Sequence, residues 1–228
     1  MTLFATLFPL ICWFAYNYGV PLLERHRPSL SVIMNMQRRR WVANAVKRDT
    51  PMDAILAGNL MGSVSFLAST SVLLVLAVFT AFGNLTALTD MLTSVGVQVS
   101  YSTQDVQIHL FATLSIFVLS FFAFTLALRQ FNHFCILLGA IEHSTDTSRD
   151  EINAIAQLNT LAAKNFNNGI RAYYFAVPMV AWFASEWLAI AASLVTVGFL
   201  IHREFFSTAH RVAASIAVLA SRRENERG

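Results

Sequence analysis

The residues of this chain that could do chemistry are few, and they lie inside or beside long apolar runs. Glu186 stands between two tryptophans in the stretch WFASEWLAI, and His109 is the only ionisable residue in the run 106–128. Arg129 and Arg171 lie at the ends of two such runs. Ionisable groups within membrane spans usually mark a pathway for ions or substrates. His109, Arg129 and Arg171 are therefore candidate polar or gating residues, whereas Glu186 is either a buried functional acid or part of a turn at a membrane surface.

Motifs of the common enzyme classes are absent from the sequence, which has no Walker loop and no GxSxG, HExxH or CxxC pattern. Both cysteines, Cys12 and Cys135, lie in apolar segments, so neither a disulfide framework nor a thiolate metal site is indicated. Four residues of metal-ligating type lie near one another in the sequence: His133, Glu142, His143 and Asp146. Their spacing is more typical of solvated groups at a helix end. We therefore expect no catalytic, cofactor-binding or metal site, and no enzyme activity.

Composition places the chain among membrane proteins. Hydrophobic residues make up 56% of it and charged residues 13%, against about 25% charged residues in ordinary soluble proteins. The runs 3–23 and 55–88 contain no charged residue, and each exceeds the roughly 18 residues that indicate a membrane helix. The first run lacks a basic leading region, so we expect a retained span and not a cleaved signal peptide. The expected fold class is an all-α, polytopic integral membrane bundle.

The placement of lysine and arginine predicts the topology. Seven of these residues lie between the first and second runs, four between the third run and the last apolar region, and five after it. Because such residues concentrate in cytoplasmic loops, the N-terminus should be outside and the C-terminus cytoplasmic. That pattern requires the run 172–201 to fold back at an outer turn, Ser185 and Glu186. A single tilted crossing by this run is the alternative.

The chain is thus expected to be one membrane domain, residues 1–228, with five embedded helices, the last two forming a tight hairpin. These helices should cover residues 3–23, 55–83, 106–128, 168–184 and 187–205. The expected cytoplasmic segments are 24–54, 129–167 and 206–228. Ser148 and Glu151 form a capping-box pattern that opens a further helix, which would pair with the end of the third helix in a cytoplasmic hairpin.

Two segments are candidate contact surfaces. The second run contains Gly58, Gly62 and Ser63, a small-residue pattern that lets membrane helices approach closely. It serves either packing within one subunit or a subunit interface, and Asn59 is a polar candidate beside it. The basic segment RPSLSVIMNMQRRRWVANAVKRD predicts an amphipathic helix suited to anionic lipid at the cytoplasmic face. Its arginines are equally consistent with fixing the orientation alone. Nucleic acid is not an expected partner.

One long stretch resembles a known family. From Asn167 the chain reads NNGIRAYYFAVPMVAWFASEWLAIAASLVTVGFLIHREF. It is similar to an uncharacterised family of bacterial and plant membrane proteins catalogued as domain of unknown function 599. The shared residues are Gly169, Arg171, Ala172, Tyr173, Tyr174 and Phe175, with His202, Arg203, Glu204 and Phe205 later; Met36–Gly62 is similar too. Relatives carry proline near the position of Glu186, which fits a turn and argues against an essential acid. The resemblance implies no activity, substrate or cofactor.

Two functions are compatible with these features. The first is channel-like or small-solute transport by a homo-oligomer in the cell membrane, which is the inner membrane of a Gram-negative cell. The second is a non-transport scaffold or accessory protein that recruits a partner through its cytoplasmic face. The sequence does not distinguish substrates or oligomer number.

Overall fold

The computed structural model describes residues 1–48, 50–94, 101–141 and 147–225, and within these ranges the regular structure is entirely helical. The helices are α1 (Thr2–Leu23), α2 (Leu30–Ala45), α3 (Met52–Gly83), α4 (Leu85–Ser94), α5 (Thr103–Ala140), α6 (Arg149–Trp182), α7 (Glu186–Phe205) and α8 (Thr208–Asn225). The all-α class is confirmed.

Four helical regions of the described chain are long and apolar enough to cross a membrane. They are Thr2–Leu23, Met52–Gly83, Thr103–Ala140 and Glu186–Arg222. The set is compatible with a multi-pass membrane protein. Since α6 is not among them, four of the five expected spans are supported by length and composition.

The chain divides into two compact units, each assembled from three separate stretches. The first unit contains Met1–Tyr18, Val64–Thr125 and Asn165–Gly198. The second unit contains Gly19–Ser63, Leu126–Lys164 and Phe199–Gly228. In the first unit, Val78 of α3 packs in a core cluster with Val106, Leu110 and Phe117 of α5.

Within the described residues, the buried positions of helix α3 lie along one side of the helix. After Asp53 its buried residues recur at every seventh position, at Ala57, Val64, Ser71 and Val78. A seven-residue repeat keeps buried side chains on one seam of a helix. Many other residues of α3 are exposed, including Ile55, Phe66 and Leu73.

Helix α6 begins and ends where local sequence chemistry indicates. Ser148 Oγ accepts a hydrogen bond from the Glu151 amide at 3.2 Å, and the Glu151 carboxylate accepts one from the Ser148 amide at 3.1 Å, which confirms the capping box. The helix then runs without a break to Trp182, so the expected cytoplasmic helix and the fourth embedded helix are one element. Ser185 Oγ accepts a bond from the Leu188 amide at 3.2 Å and starts α7. The expected break before Glu186 is thus present.

Two helices lie where no helix was expected. Helix α4 lies in the connection between α3 and α5, and α8 lies in the C-terminal segment. Each begins at a short polar cap: Asn84 Oδ1 accepts from the Ala87 amide at 3.2 Å, and Ser207 Oγ accepts from the His210 amide at 3.1 Å. Caps of this kind were readable in the sequence, but the segments that follow them lack a long apolar run.

Helix α2, in the second unit, packs against α8. Ser29 caps it by accepting a bond from the Val32 amide at 3.1 Å. Its buried residues include Ile33 and Ala45, as the apolar pattern indicated, whereas Met34 of the same pattern is 39% exposed. The apolar side of α2 is therefore partly covered by protein.

Candidate functional site: the His109 centre

His109 of α5 is completely buried within the first unit. Its Nε2 atom lies 2.9 Å from the backbone oxygen of Met179, and its Nδ1 atom lies 3.4 Å from the hydroxyl of Thr6. A carbonyl oxygen can only accept, so Nε2 donates to Met179, while Nδ1 faces the Thr6 hydroxyl, which can donate or accept. The imidazole is therefore held by groups from α1 and α6.

The Met179 carbonyl is available because α6 ends three residues later. The last carbonyls of a helix lack partners within the helix. Here the Phe183 amide donates to Val180 at 3.3 Å, one residue nearer than in a regular α-helix. His109 thus satisfies a helix-end carbonyl, and its position depends on where α6 stops.

An aromatic stack covers His109. The Trp182 indole lies between the imidazole, with ring centroids 4.0 Å apart and nearly parallel, and the Tyr101 phenol at 4.2 Å. Phe183 meets both His109 and Trp182 edge-on, at 5.2 and 5.5 Å. The Tyr101 hydroxyl donates to the Trp182 carbonyl at 3.3 Å. These contacts hold the end of α6 against α5.

Glu186 lies at the start of α7 and is only partly buried. Its carboxylate accepts a hydrogen bond of 2.5 Å from the hydroxyl of Thr2. A carboxylate in the first turn of a helix is stabilised by the positive end of the helix dipole. Glu186 thus has the environment of a turn residue that holds the start of α1, and not that of an isolated buried acid.

Replacing Glu186 with glutamine is expected to lower stability by no more than about 1 kcal/mol. The glutamine carbonyl can still accept from Thr2, so only the favourable charge at the helix start is lost. Thermal unfolding of the purified protein in detergent measures the change, and Thr2→Val, which removes the donor, serves as the comparison. A loss of several kcal/mol for Glu186→Gln would contradict this account.

The same substitution should change the titration of Tyr101. Burial raises the pKa of the Tyr101 phenol above its usual value, and the negative charge of Glu186 raises it further. Removing that charge is therefore expected to lower the pKa of Tyr101. Ultraviolet titration of the phenolate, with Tyr101→Phe subtracted to isolate this residue, measures the shift. An unchanged titration curve would contradict the assigned electrostatic contact.

Helices α5 and α6 approach each other closely at Gly169. A Cβ atom at this position would lie 2.6 to 2.8 Å from ring atoms of Phe124, closer than side chains pack. The Ser120 hydroxyl donates to the Gly169 carbonyl at 3.0 Å. Four residues along α6, the Tyr173 hydroxyl donates to the Leu67 carbonyl of α3 at 2.9 Å. Gly169 and Tyr173 therefore act in helix packing.

Gly169, Arg171 and Tyr173 also belong to the motif that carries the resemblance described above. The family model described as "Protein of unknown function, DUF599" matches residues 4–209. The chain belongs to this family. No curated protein and no solved structure matches it. The DUF599 motif thus coincides with the close α5–α6 contact, for which the structure gives a packing reason.

The remaining candidate residues of this DUF599 protein have different surroundings. Arg171 donates to the Asn17 side chain at 3.1 Å, and its guanidinium lies 5.1 Å from the Tyr16 ring centroid. Arg129 is exposed, and so are four residues of α3: Gly58, Asn59, Gly62 and Ser63. Of the candidates, His109 stacks on Trp182, which also stacks on Tyr101, and the charge of Glu186 acts on Tyr101. Arg129 and the four α3 residues belong to the second unit.

Sequence reasoning did not identify three residues of the centre: Thr6, Tyr101 and Trp182. Trp182 was noted only as a tryptophan flanking the turn. Nothing in the sequence links Thr6 or Tyr101 to His109, because each is an ordinary polar residue outside any motif. Their role follows from helix packing alone.

A second polar cluster lies in the second unit, where the chain turns between α7 and α8. Glu204 accepts a bond from the Ser31 amide at 3.0 Å, and His210 Nε2 donates to the Pro28 carbonyl at 3.0 Å. The Arg27 guanidinium lies 4.8 Å from the Phe206 ring centroid. We call these three contacts the elbow clamp. They fasten both sides of the turn to the start of α2.

The described residues contain no group of three histidine, cysteine or acidic side chains placed to hold a metal ion. Glu142, His143 and Asp146 lie outside the described residues, so the metal-type group of the sequence is not tested. At the start of α3, Asp53 accepts from Trp41 Nε1 at 2.6 Å and from Arg48 at 2.8 Å. In this environment Asp53 acts as a structural acceptor.

Proposed function

We propose that the protein is a multi-pass protein of the cell membrane, the inner membrane in a Gram-negative cell. In this proposal it acts as a homo-oligomer in channel-like passage of a small solute, and it is neither an enzyme nor dependent on a cofactor. The observation that carries the proposal is the fully buried, hydrogen-bonded His109 in an apolar helix. Ionisable groups at such positions usually belong to a pathway or its gate.

The proposed topology has five embedded helices, with the N-terminus outside and the C-terminus in the cytoplasm. Fifteen of the sixteen lysines and arginines belong to the second unit, and Arg171 is the exception. This asymmetry supports a cytoplasmic side rich in basic residues. The 34 residues of α6 extend about 51 Å, so the helix could enter the bilayer with its apolar end and project its polar start into the cytoplasm.

A reporter fused after Arg222 should read cytoplasmic, and one fused after Ser94 should read external. This pair distinguishes a fold-back at Ser185 from a single crossing of the last apolar region. An external reading after Arg222 would overturn the five-helix topology. The four apolar helices themselves would be unaffected by that result.

The face of α3 supports the homo-oligomer. Among the described residues, a Cβ atom added at Gly58 or Gly62 would meet nothing within 4 Å, which supports a role for these glycines in contact with a second copy. Small residues on an open membrane helix are typical of contacts between helices. Gly62→Leu should reduce the oligomer fraction in crosslinking and light scattering. Gly198→Leu, at another open glycine in an apolar helix, should not.

Transport is tested by reconstituting the full chain into liposomes. Glycerol and urea uptake, measured by light scattering, and potassium flux, measured with an entrapped dye, provide three probes. His109→Ala should raise flux, because it removes a ring from the stack that fills the space between α1, α5 and α6. His109→Gln should preserve low flux, because it can still donate to Met179. Flux no greater than that of empty liposomes for both wild type and His109→Ala would overturn the proposal.

Exposed apolar residues on the second unit favour the scaffold as a second candidate. Ile136 and Leu137 of α5 are 66% and 43% exposed, and Leu161 of α6 is 39% exposed. Co-purification of one stoichiometric partner that is lost in Ile136→Glu but retained in Ile55→Glu would support this role. Ile55, 59% exposed on α3, controls for the general effect of the charge.

A further inference from the structure

Helix α8 presents an apolar stripe on one exposed side. The stripe consists of Val212, Ile216 and Leu219, which are 53%, 50% and 55% exposed. Their spacing of four and three residues places them on one face of a helix. Arg211 and Arg222 lie beside this face and are also exposed. The stripe and the two arginines form an amphipathic surface, which we call the α8 face.

Contacts on the opposite side fix the rotation of α8. His210 is 5% exposed and donates to Pro28, and the partly buried alanines at 213, 214 and 217 lie on the same side. The other contacts of the elbow clamp hold the residues just before α8 to the start of α2. Because these contacts hold the His210 side towards α2, the α8 face must point away from it.

Continuity with α7 sets where α8 begins. Only Phe206 and Ser207 separate the two helices, and α7 belongs to a region apolar and long enough to cross a membrane. His202 and Arg203 lie in the last turn of α7. Basic residues at the end of a span lie at the membrane surface, where anionic lipid attracts them. Helix α8 therefore starts at that surface.

We infer that α8 lies in the cytoplasmic headgroup layer and binds anionic lipid. Its apolar stripe inserts among acyl chains while Arg211 and Arg222 contact phosphate groups. This assignment rests on the proposed membrane embedding of α7. It also assigns to α8 the lipid contact expected for α2, of whose apolar residues Ile33, Val42 and Ala45 are buried within the second unit.

The experiment places one spin label at a time on the full chain with Cys12 and Cys135 replaced by alanine. Labels at Ile216 and at Ser221, which is exposed on another side of α8, are compared in bilayers of phosphatidylcholine with and without phosphatidylglycerol. A third label at Val195, 71% exposed on α7, reports on the embedding itself. The readout is the accessibility of each label to oxygen, which concentrates in lipid, and to a water-soluble nickel chelate.

The label at Ile216 should favour oxygen in bilayers with phosphatidylglycerol, and the label at Ser221 should favour the chelate. Preference for the chelate at Ile216 while Val195 favours oxygen would overturn the α8 assignment and leave the proposed embedding intact. Preference for the chelate at Val195 would overturn the embedding. Dipolar broadening between Ile216 labels, with loss of lipid contact, would assign the α8 face to a second copy of the chain.

The arginines give an independent test. Neutralising Arg211 or Arg222 by glutamine should lower the ratio of lipid-exposed to water-exposed label by about fivefold each. Added salt should also lower this ratio, since it screens surface charge. If the cysteine-free chain does not fold, hydrogen exchange of the unmodified chain replaces labelling. Amide protection of α8 that does not rise with phosphatidylglycerol would then overturn the assignment.

Discussion

Replacing Trp182 with alanine is expected to lower the free energy of unfolding by about 3–5 kcal/mol. The indole is fully buried and packs between the rings of Tyr101 and His109. Its removal leaves a cavity at the end of α6 and deprives both neighbouring rings of their contact. Denaturation in mixed micelles, followed by circular dichroism, measures the loss.

Trp187 provides the matched control for this substitution. It lies five residues away and is 69% exposed, so Trp187→Ala should change stability by no more than about 0.5 kcal/mol. Trp182→Phe should fall between the two, because phenylalanine keeps part of the stack. Equal effects of the two alanine substitutions would show that the stack does not hold the end of α6.

Replacing Gly169 with alanine is expected to cost about 1–3 kcal/mol. The added methyl group would come within 2.8 Å of the Phe124 ring. That ring cannot easily move, because it is fully buried and packs against Phe166 and Tyr173. Gly169→Val should be worse than alanine. The same unfolding measurement applies.

Gly198→Ala is the matched control, since a Cβ atom there would meet nothing within 4 Å. Alanine is a better helix former than glycine, so this variant should be neutral or more stable by up to about 1 kcal/mol. A smaller side chain at position 124 should relieve the clash, so Phe124→Leu combined with Gly169→Ala should cost less than the sum of the two single variants. Additive losses would show that the close contact is not the cause.

The chain encodes its class and much of its helix pattern locally. Long uncharged runs predicted apolar helices, and the Ser148–Glu151 pair marked the start of α6. The break before Glu186 followed from the distribution of arginines and has its local cause in the Ser185 cap. These features were readable because each depends on neighbours in sequence, such as a cap or a continuous apolar segment.

Helices α4 and α8 were not predicted from the sequence. Both are short or polar on average, so neither stands out as an apolar run. The partner of α8 is α2, almost the whole chain away. Its Ala213 and Ala217 are unremarkable in sequence and take on a role only once His210 and Glu204 hold the turn against α2. The sequence likewise did not indicate that protein buries Ile33, Val42 and Ala45 of α2, because that packing depends on residues far along the chain.

The sequence by itself determined that this DUF599 chain is helical, rich in membrane-length apolar segments and strongly asymmetric in basic charge. Only the tertiary structure decided that His109 is buried beneath Trp182, that Gly169 is required by Phe124 and that Glu186 bonds to Thr2. The physical reason is the range of the interactions. Helix formation and capping depend on residues a few positions apart, whereas these contacts join helices 45 to 184 residues apart in the chain.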